Sequence, residues 1–332
     1  MALVFLSNMK SFQVEDGVTV LEGARRAGIV LEHSCKTGRC GTCRAHMSKG
    51  AVNTIGSDTS LSLVERANGW VLTCTDAPSS DELHLDAQDI SVLADFPSRT
   101  TPCRIDSIDN VAPDVKRIFL RFPQKASPKF LAGQYVDVIG PNAIRRSYSL
   151  ANKMAEDGRV ELHVRQVQGG ALSQYWFELA KPNDLLRLEG PKGTFFLRDA
   201  AGTNLIFLAT GTGMAPVKAM LEDLASRDAG EHPSSITVLW GGRHASDIYW
   251  QPIFEELSNF SFVPVLSRGD SSWKGERGHV QQALLRSNLD WANTVVYACG
   301  SQAMIDSAST ELVASGLSPK RFFSDAFVSS SI

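Results

Sequence analysis

No stretch of this 332-residue chain holds the roughly 20 consecutive apolar residues that a membrane-spanning helix requires. The apolar opening Met1–Leu6 lacks a basic flank and stops at Ser7-Asn8, so it reads as a strand and not as a secretion signal. Neither charge is in surplus: 33 Lys and Arg against 36 Asp and Glu leave a net of −3, which gives no basis for nucleic-acid binding or an anionic membrane surface. Internal repeats and low-complexity segments are absent. Cysteine is scarce, six in all, and without a secretion signal a disulfide framework is not expected. What remains is the expectation of a soluble, cytoplasmic protein, with an ordinary 43% hydrophobic and 21% charged content. The length predicts two or three domains.

Four of the six cysteines crowd into the first quarter. Cys35, Cys40 and Cys43 lie in one loop and Cys74 follows thirty-one residues after Cys43, the plant-type spacing for a [2Fe–2S] cluster. Thiolates suit both iron oxidation states, being soft and anionic. Gly38 and Gly41 allow the loop to wrap closely and to aim N–H groups at sulfur. Structural zinc uses two close cysteine pairs, and Cys74 has no near partner in sequence. Cys103 reads as an ordinary buried thiol.

Periodicity divides the chain into four segments. Residues 1–92 alternate short strands (Ala2–Leu6, Ser11–Val14, Glu82–Leu85) with a helix over Thr19–Ala27, stopped at Gly28. Residues 93–102, with two prolines and little periodicity, read as a linker. Residues 103–200 carry period-2 runs at Lys116–Phe122, Tyr135–Ile139, Val160–Val167 and Leu185–Leu188, which predict an antiparallel β-barrel. Residues 201–332 alternate apolar strands (Leu205–Ala209, Ile236–Trp240, Phe262–Leu266, Thr294–Ala298) with helices (Ala215–Ser226, Gln302–Ser315), the pattern of an α/β domain with a parallel sheet.

Within the barrel segment, Arg145-Arg146-Ser147-Tyr148-Ser149 offers a guanidinium for a pyrophosphate, a ring to stack on a flavin and a hydroxyl for its hydride-accepting nitrogen. Gly169-Gly170-Ala171-Leu172-Ser173 precedes a helical stretch over Leu172–Ala180, whose start is either an anion site for flavin phosphates or a plain Ser-capped loop. In the α/β segment a strand runs directly into Thr210-Gly211-Thr212-Gly213-Met214-Ala215-Pro216 and a helix. That order presents N–H groups to a dinucleotide, although Pro216 stands near the place of the third glycine of the Rossmann fingerprint. Cys299-Gly300-Ser301 closes another strand at the same sheet end, Cys299 being either functional or a small residue in a tight turn.

With these residues in hand the sequence resembles the ferredoxin–NADP reductase superfamily, in the branch with an N-terminal ferredoxin domain. That branch contains reductase components of aromatic-ring oxygenases and the CDP-6-deoxy-glucoseen reductases of deoxysugar synthesis. Arg145–Asn152, Glu189–Phe196 and Arg321–Val328 read closer to the second group. The resemblance implies a β-grasp ferredoxin domain, an FAD-binding barrel and an NAD domain. It implies Cys35, Cys40, Cys43 and Cys74 as cluster ligands and Arg146 at the FAD pyrophosphate, beside Ser147. Tyr148 stacks on the flavin and Ser149 bonds its N5. His163, Val164, Arg165 and Gly169–Ser173 complete the FAD site. Thr210–Pro216, Gly241, Arg243 and Cys299–Ser301 flank the nicotinamide nucleotide, and Phe327 covers the flavin. The implied reaction is hydride transfer to FAD, then single electrons through the cluster to a partner.

Ser267-Arg268 is the pair with which NADP-using relatives hold the 2′-phosphate, but Asp247 and Trp240-Gly241-Gly242-Arg243 favour NADH over NADPH. Residues 1–92 carry 8 Lys and Arg against 11 Asp and Glu, with Lys36, Arg39 and Arg44 at the cluster loop, which suggests a locally basic docking face. The acceptor is either an aromatic-ring oxygenase or a deoxysugar dehydratase. An electron-carrier module with an inactive flavoprotein half is disfavoured by the intact Tyr148, Ser149 and Gly211–Pro216. A free-standing flavin or ferric reductase is disfavoured by the fused ferredoxin segment. With all three redox sites in one chain, a monomer is expected.

Overall fold

The computed structural model describes residues 1–87, 89–123 and 126–327, so Val328 of the Arg321–Val328 stretch lies outside the described residues. The chain forms two compact units, one of residues 1–97 and one beginning at Ser98.

In the first unit the alternating run Ala2–Leu6 buries Ala2, Val4 and Leu6 and pairs antiparallel with Ser11–Val14 and parallel with Glu82–Asp86. The five-stranded sheet is completed by Arg44–Lys49 and Trp70–Leu72. The helix Val20–Arg26 packs its buried Val20, Gly23 and Ala24 on this sheet. It begins where the Thr19 side chain caps the Glu22 N–H at 3.2 Å and ends before Gly28, at φ +73°. A mixed sheet gripping one helix is the β-grasp expected.

The second unit opens earlier than the sequence suggests. Residues 93–102 read as a linker, yet the strand Arg99–Ala112 begins inside that segment. Arg99–Arg104 pair with Leu185–Gly190, whereas pairing to Val115–Arg121 begins only at Arg104. Pro102 therefore sits where the strand is bonded on one side, which a residue without an N–H tolerates.

Six antiparallel strands follow the order Arg145–Ser149, Tyr135–Ile139, Leu185–Lys192, Arg99–Ala112, Val115–Arg121, Val160–Arg165. A bridge between Leu150 and Leu162 joins the two outermost strands, closing the barrel around Ile105, Ile118, Leu120, Val136, Val138 and Trp176. The predicted helix over Leu172–Ala180 is one α turn, Ala171–Gln174, continuing as a π turn, Tyr175–Leu179.

Six further described strands of the second unit are all parallel, in the order Glu276–Arg277, Phe260–Leu266, Ser235–Gly242, Asn204–Thr210, Thr294–Ser301, Phe322–Phe327. Asn204–Thr210 lies between strands that succeed it in opposite directions, so the order reverses beside it. Such a switch point leaves a crevice at the carboxyl ends of the strands. The helix Met214–Ala225 is buried along most of its length, as a helix covering a sheet buried on both faces must be.

Candidate functional site: a cluster loop, a flavin face and a dinucleotide cleft

The four cysteines form two pairs. Cys43 Sγ and Cys74 Sγ are 3.2 Å apart, and Cys40 Sγ accepts the Cys35 N–H at 3.5 Å. Cys40, Cys43 and Cys74 are buried and Cys35 is half-buried. Within each pair the shared hydrogen bond draws one thiol down, Cys35 beside Cys40 and Cys74 beside Cys43, and pushes its partner up. Among the described residues no three His, Cys, Asp or Glu side chains converge on a single metal ion. Two thiol pairs fit a two-iron cluster better than one tetrahedral zinc. The loop closes only with glycine at position 38, where φ is +72° and a Cβ would stand 1.9 Å from the Ser57 carbonyl oxygen.

Of the three basic residues near the loop, Lys36 and Arg39 are exposed. Arg44 is engaged inside the unit, donating to Glu65 at 2.9 Å and to the Ser60 carbonyl at 2.8 Å, so it does not belong to a free basic face. The sequence reading missed a second support: Asp76, fully buried, accepts the Leu72 N–H at 2.7 Å and the Thr54 hydroxyl at 2.7 Å, and is paired with Arg66. These bonds fix the chain on both sides of Cys74.

On the strand Arg145–Ser149 alternate residues face opposite ways. Ser147 donates to Asp137 at 2.6 Å, and Arg145 and Lys192 both reach Asp137 and Glu189. Burial raises the Asp137 carboxyl, but Lys192, Ser147 and Arg145 together hold it below the ordinary value. Arg146 and Tyr148 share the other face, opposite Val138 and Val136. The Tyr148 oxygen accepts the Trp176 indole N–H at 3.1 Å, and burial pushes its phenol up to about 12. The ring is thus fixed in angle by an edge-on contact, 6.3 Å between centroids. Ser149 is buried at the strand end, and the Ser173 hydroxyl caps the Val167 N–H at 2.7 Å, fixing the Gly169–Gly170 turn.

Trp176→Phe removes that donor while keeping an aromatic side chain. The lost bond is worth about 1 kcal/mol, so the melting temperature is expected to fall by about 2–4 °C, measured by thermal unfolding.

His163, Val164 and Arg165 diverge. Val164 packs in the barrel core. The His163 imidazole is bonded to Glu161 and Tyr249, both of its ring nitrogens being engaged. Arg165 pairs with Asp114 at 3.0 Å and leans over the Gly211 turn, where an added Cβ would meet its guanidinium at 2.6 Å.

The crevice at the switch point is a cleft of about 910 Å³ lined by Thr210, Gly211, Thr212, Gly241, Arg243 and Ser301, with Phe327 at its edge. Trp240 donates to the Gly211 carbonyl at 3.0 Å. Gly213 lies so close to the neighbouring strand that a Cβ would meet the Cys299 oxygen at 2.2 Å. Met214, Ala215 and Pro216 are buried behind the turn, and Cys299 and Gly300 stand behind the wall. The Cys299 thiol is pushed well above its ordinary value by burial and then by Asp325. Asp325, opposite Cys299 in the parallel register, was not foreseen; nor was Gln281, buried in the cleft wall with a side-chain oxygen that has no partner among the described residues. Asp247 accepts the Arg243 and His244 N–H groups at 2.7 and 3.1 Å and holds the Gly242 turn.

Comparison with known proteins agrees with this division. Residues 6–79 match the 2Fe-2S iron-sulfur cluster binding domain family, residues 102–197 the oxidoreductase FAD-binding domain and residues 207–310 the oxidoreductase NAD-binding domain. The chain is 41% identical over 316 residues to the CDP-6-deoxy-L-threo-D-glycero-4-hexulose-3-dehydrase reductase of Yersinia pseudotuberculosis, covering 94% of each. It is 34% identical over 329 residues to the reductase component of phenol 2-monooxygenase from a Pseudomonas species, covering 95% of this chain and 91% of that one. Among solved structures, the cytochrome P450 reductase GcoB of Amycolatopsis aligns over 100% of both chains with a TM-score of 0.71 and 30% identity. A cluster loop with paired thiols, a barrel with an aromatic face and a parallel sheet with a glycine turn at its switch point therefore belong together: the chain is a member of the ferredoxin-fused branch of the ferredoxin–NADP reductase superfamily, an electron-transfer reductase that uses NAD, FAD and a [2Fe–2S] cluster.

Proposed function

We propose that this reductase takes its electrons from NADH and delivers them to a dehydrase acting on a CDP-linked 6-deoxyhexulose. The observation that carries this reading is the 41% identity, over 94% of both chains, to the reductase named for such a dehydrase. The relatives named for phenol and terephthalate oxygenation stand at 34% and 32% and support the second reading, an aromatic-ring oxygenase as acceptor.

Bound FAD accepts hydride from a nicotinamide and releases electrons singly, and a [2Fe–2S] centre passes them on one at a time. In this reading Cys35, Cys40, Cys43 and Cys74 hold the cluster. Arg146 neutralises the FAD pyrophosphate, Tyr148 seats the flavin ring and Ser149 donates at its N5. The Gly169–Ser173 turn offers N–H groups to the phosphates. The hydroxyl of Ser147 and the imidazole of His163 already have partners, so these residues offer the cofactor their backbone. The Thr210–Gly213 turn, Gly241, Arg243 and Ser301 receive the dinucleotide. Cys299 and Gly300 back that wall, and Phe327 shields the flavin until the nicotinamide arrives.

NADH is favoured because the Asp247 carboxylate contributes to the same cleft as Ser267 and Arg268 and opposes a second phosphate there. The working parts are read as residues 1–92, a linker of 93–102 whose last residues join the barrel strand from Arg99, and residues 103–200 and 201–332. We read the protein as a cytoplasmic monomer, since one chain carries every redox site; no described helix is long and apolar enough to cross a membrane.

The test supplies the purified reductase with NADH or NADPH and with either a CDP-6-deoxyhexulose dehydrase or a phenol-oxygenase component. Turnover with the dehydrase and NADH is expected to exceed each alternative by about tenfold or more. Faster delivery to the oxygenase would replace the first reading with the second.

A further inference from the structure

A second group of buried titratable side chains lies between the barrel and the helix Met214–Ala225. Glu161, His163 and Lys218 are buried there. Lys218 Nζ donates to Glu161 Oε2 at 2.8 Å, to the Ala151 carbonyl at 3.0 Å and to Glu222 at 2.6 Å, which uses all three of its protons. Glu161 Oε1 meets His163 Nε2 at 2.9 Å, and His163 Nδ1 meets the Tyr249 hydroxyl at 3.0 Å.

The directions of these bonds follow from chemistry. Lys218 and His163 keep the Glu161 carboxyl below its ordinary value despite burial, and an ionised carboxylate can only accept. Burial lowers the His163 value, so the imidazole is neutral, with its one proton on Nε2 facing Glu161. Nδ1 then accepts from Tyr249. The Tyr249 ring in turn stands edge-on to Trp240, centroids 4.9 Å apart, and Trp240 donates to the carbonyl of Gly211.

Two routes therefore join one carboxylate to the dinucleotide turn. One runs through Lys218 to the helix that follows the turn; the other runs through His163, Tyr249 and Trp240 to Gly211. Glu161 itself is on the strand Val160–Arg165, whose start is bridged through Leu162 to Leu150, next to Tyr148 and Ser149. We propose that Glu161 is a positioning residue for hydride transfer: through Lys218 on one side and the His163–Tyr249 pair on the other, it fixes the nicotinamide turn relative to the barrel strand that seats the flavin. The inference rests on the assignment of Tyr148 and Ser149 to the flavin. Hydride transfer is steep in donor–acceptor distance, and a displacement of about 1 Å costs on the order of a hundredfold in rate.

The experiment compares holoenzyme with Glu161→Gln and Tyr249→Phe. Anaerobic stopped-flow follows flavin bleaching against NADH concentration. Thermal melting and the long-wavelength charge-transfer absorbance of the nucleotide complex are recorded alongside. Glu161→Gln is expected to lower the limiting bleaching rate by about 10- to 100-fold and weaken the charge-transfer band, with FAD content unchanged and NADH affinity within about twofold. Tyr249→Phe keeps the ring against Trp240 and removes only the bond to His163; a loss of about tenfold is expected, and this variant decides if Glu161→Gln does not fold. An unchanged limiting rate and band, whatever happens to melting, overturns the inference. Wild-type protein that retains no FAD, or is not bleached by NADH, overturns the cofactor assignment beneath it instead.

Discussion

Cys43→Ser is expected to give a protein that is yellow but not brown. Its flavin should still bleach with NADH, while its one-electron transfer to cytochrome c should fall by about a hundredfold or more. Cys43 is buried with its sulfur 3.2 Å from Cys74, so a serine there removes one thiol of a close pair. Loss of an outer partner of a metal ligand already costs about 10- to 100-fold in metal affinity or activity, so loss of a ligand should exceed that. The flavoprotein half should survive, because the first unit has its own core around Val4, Val20, Leu83 and Leu85, and the second has separate cores. Visible spectra and iron content check the first half of this outcome, and paired assays with ferricyanide and cytochrome c check the second. A brown protein with full cytochrome c activity would mean that the cysteine pairs do something else.

Gly213→Ala should be nearly as damaging at the other end of the chain. The residue has an ordinary negative φ, −59°, so the cost is purely steric. Its Cβ would stand 2.2 Å from the Cys299 oxygen, 2.6 Å from the Cys299 carbonyl carbon and 3.0 Å from the Gly300 Cα, all backbone atoms of a central strand. Relieving the clash means moving either that strand or the turn that lines the cleft. Overpacking of this kind costs about 1–3 kcal/mol of stability. A shift of about 1 Å in the turn should slow NADH-driven bleaching on the order of a hundredfold. Gly230→Ala is the control, because no atom lies within 4 Å of its added Cβ. Equal bleaching rates in the two variants would show that the turn tolerates the intrusion.

What could be read from sequence was whatever is local. Ser11–Val14 and Ala2–Leu6 were legible because a strand with one buried face repeats every second residue. The buried parallel strand Asn204–Thr210 showed as an apolar run ending in glycine. The cysteine spacing was legible because Cys35, Cys40 and Cys43 fall within one short loop. The Glu161–Lys218 and His163–Tyr249 bonds were not legible, since their partners lie 57 and 86 residues apart. Arg44 looked like a surface charge because its partner Glu65 is 21 residues away. Ser147 and Ser149 are indistinguishable as letters in a motif; only the neighbouring strand, bringing Asp137 opposite Ser147, separates their hydroxyls.

The division between Pro97 and Ser98 has a consequence for inheritance. Because the cluster-bearing unit keeps its own core, mutations that refit its outer face to a new acceptor need not be compensated in the part that handles the nucleotide. Natural selection can then exchange the outlet of this device while leaving its fuel inlet alone. A chimera carrying residues 1–97 from a relative with a different acceptor is the laboratory equivalent of that exchange.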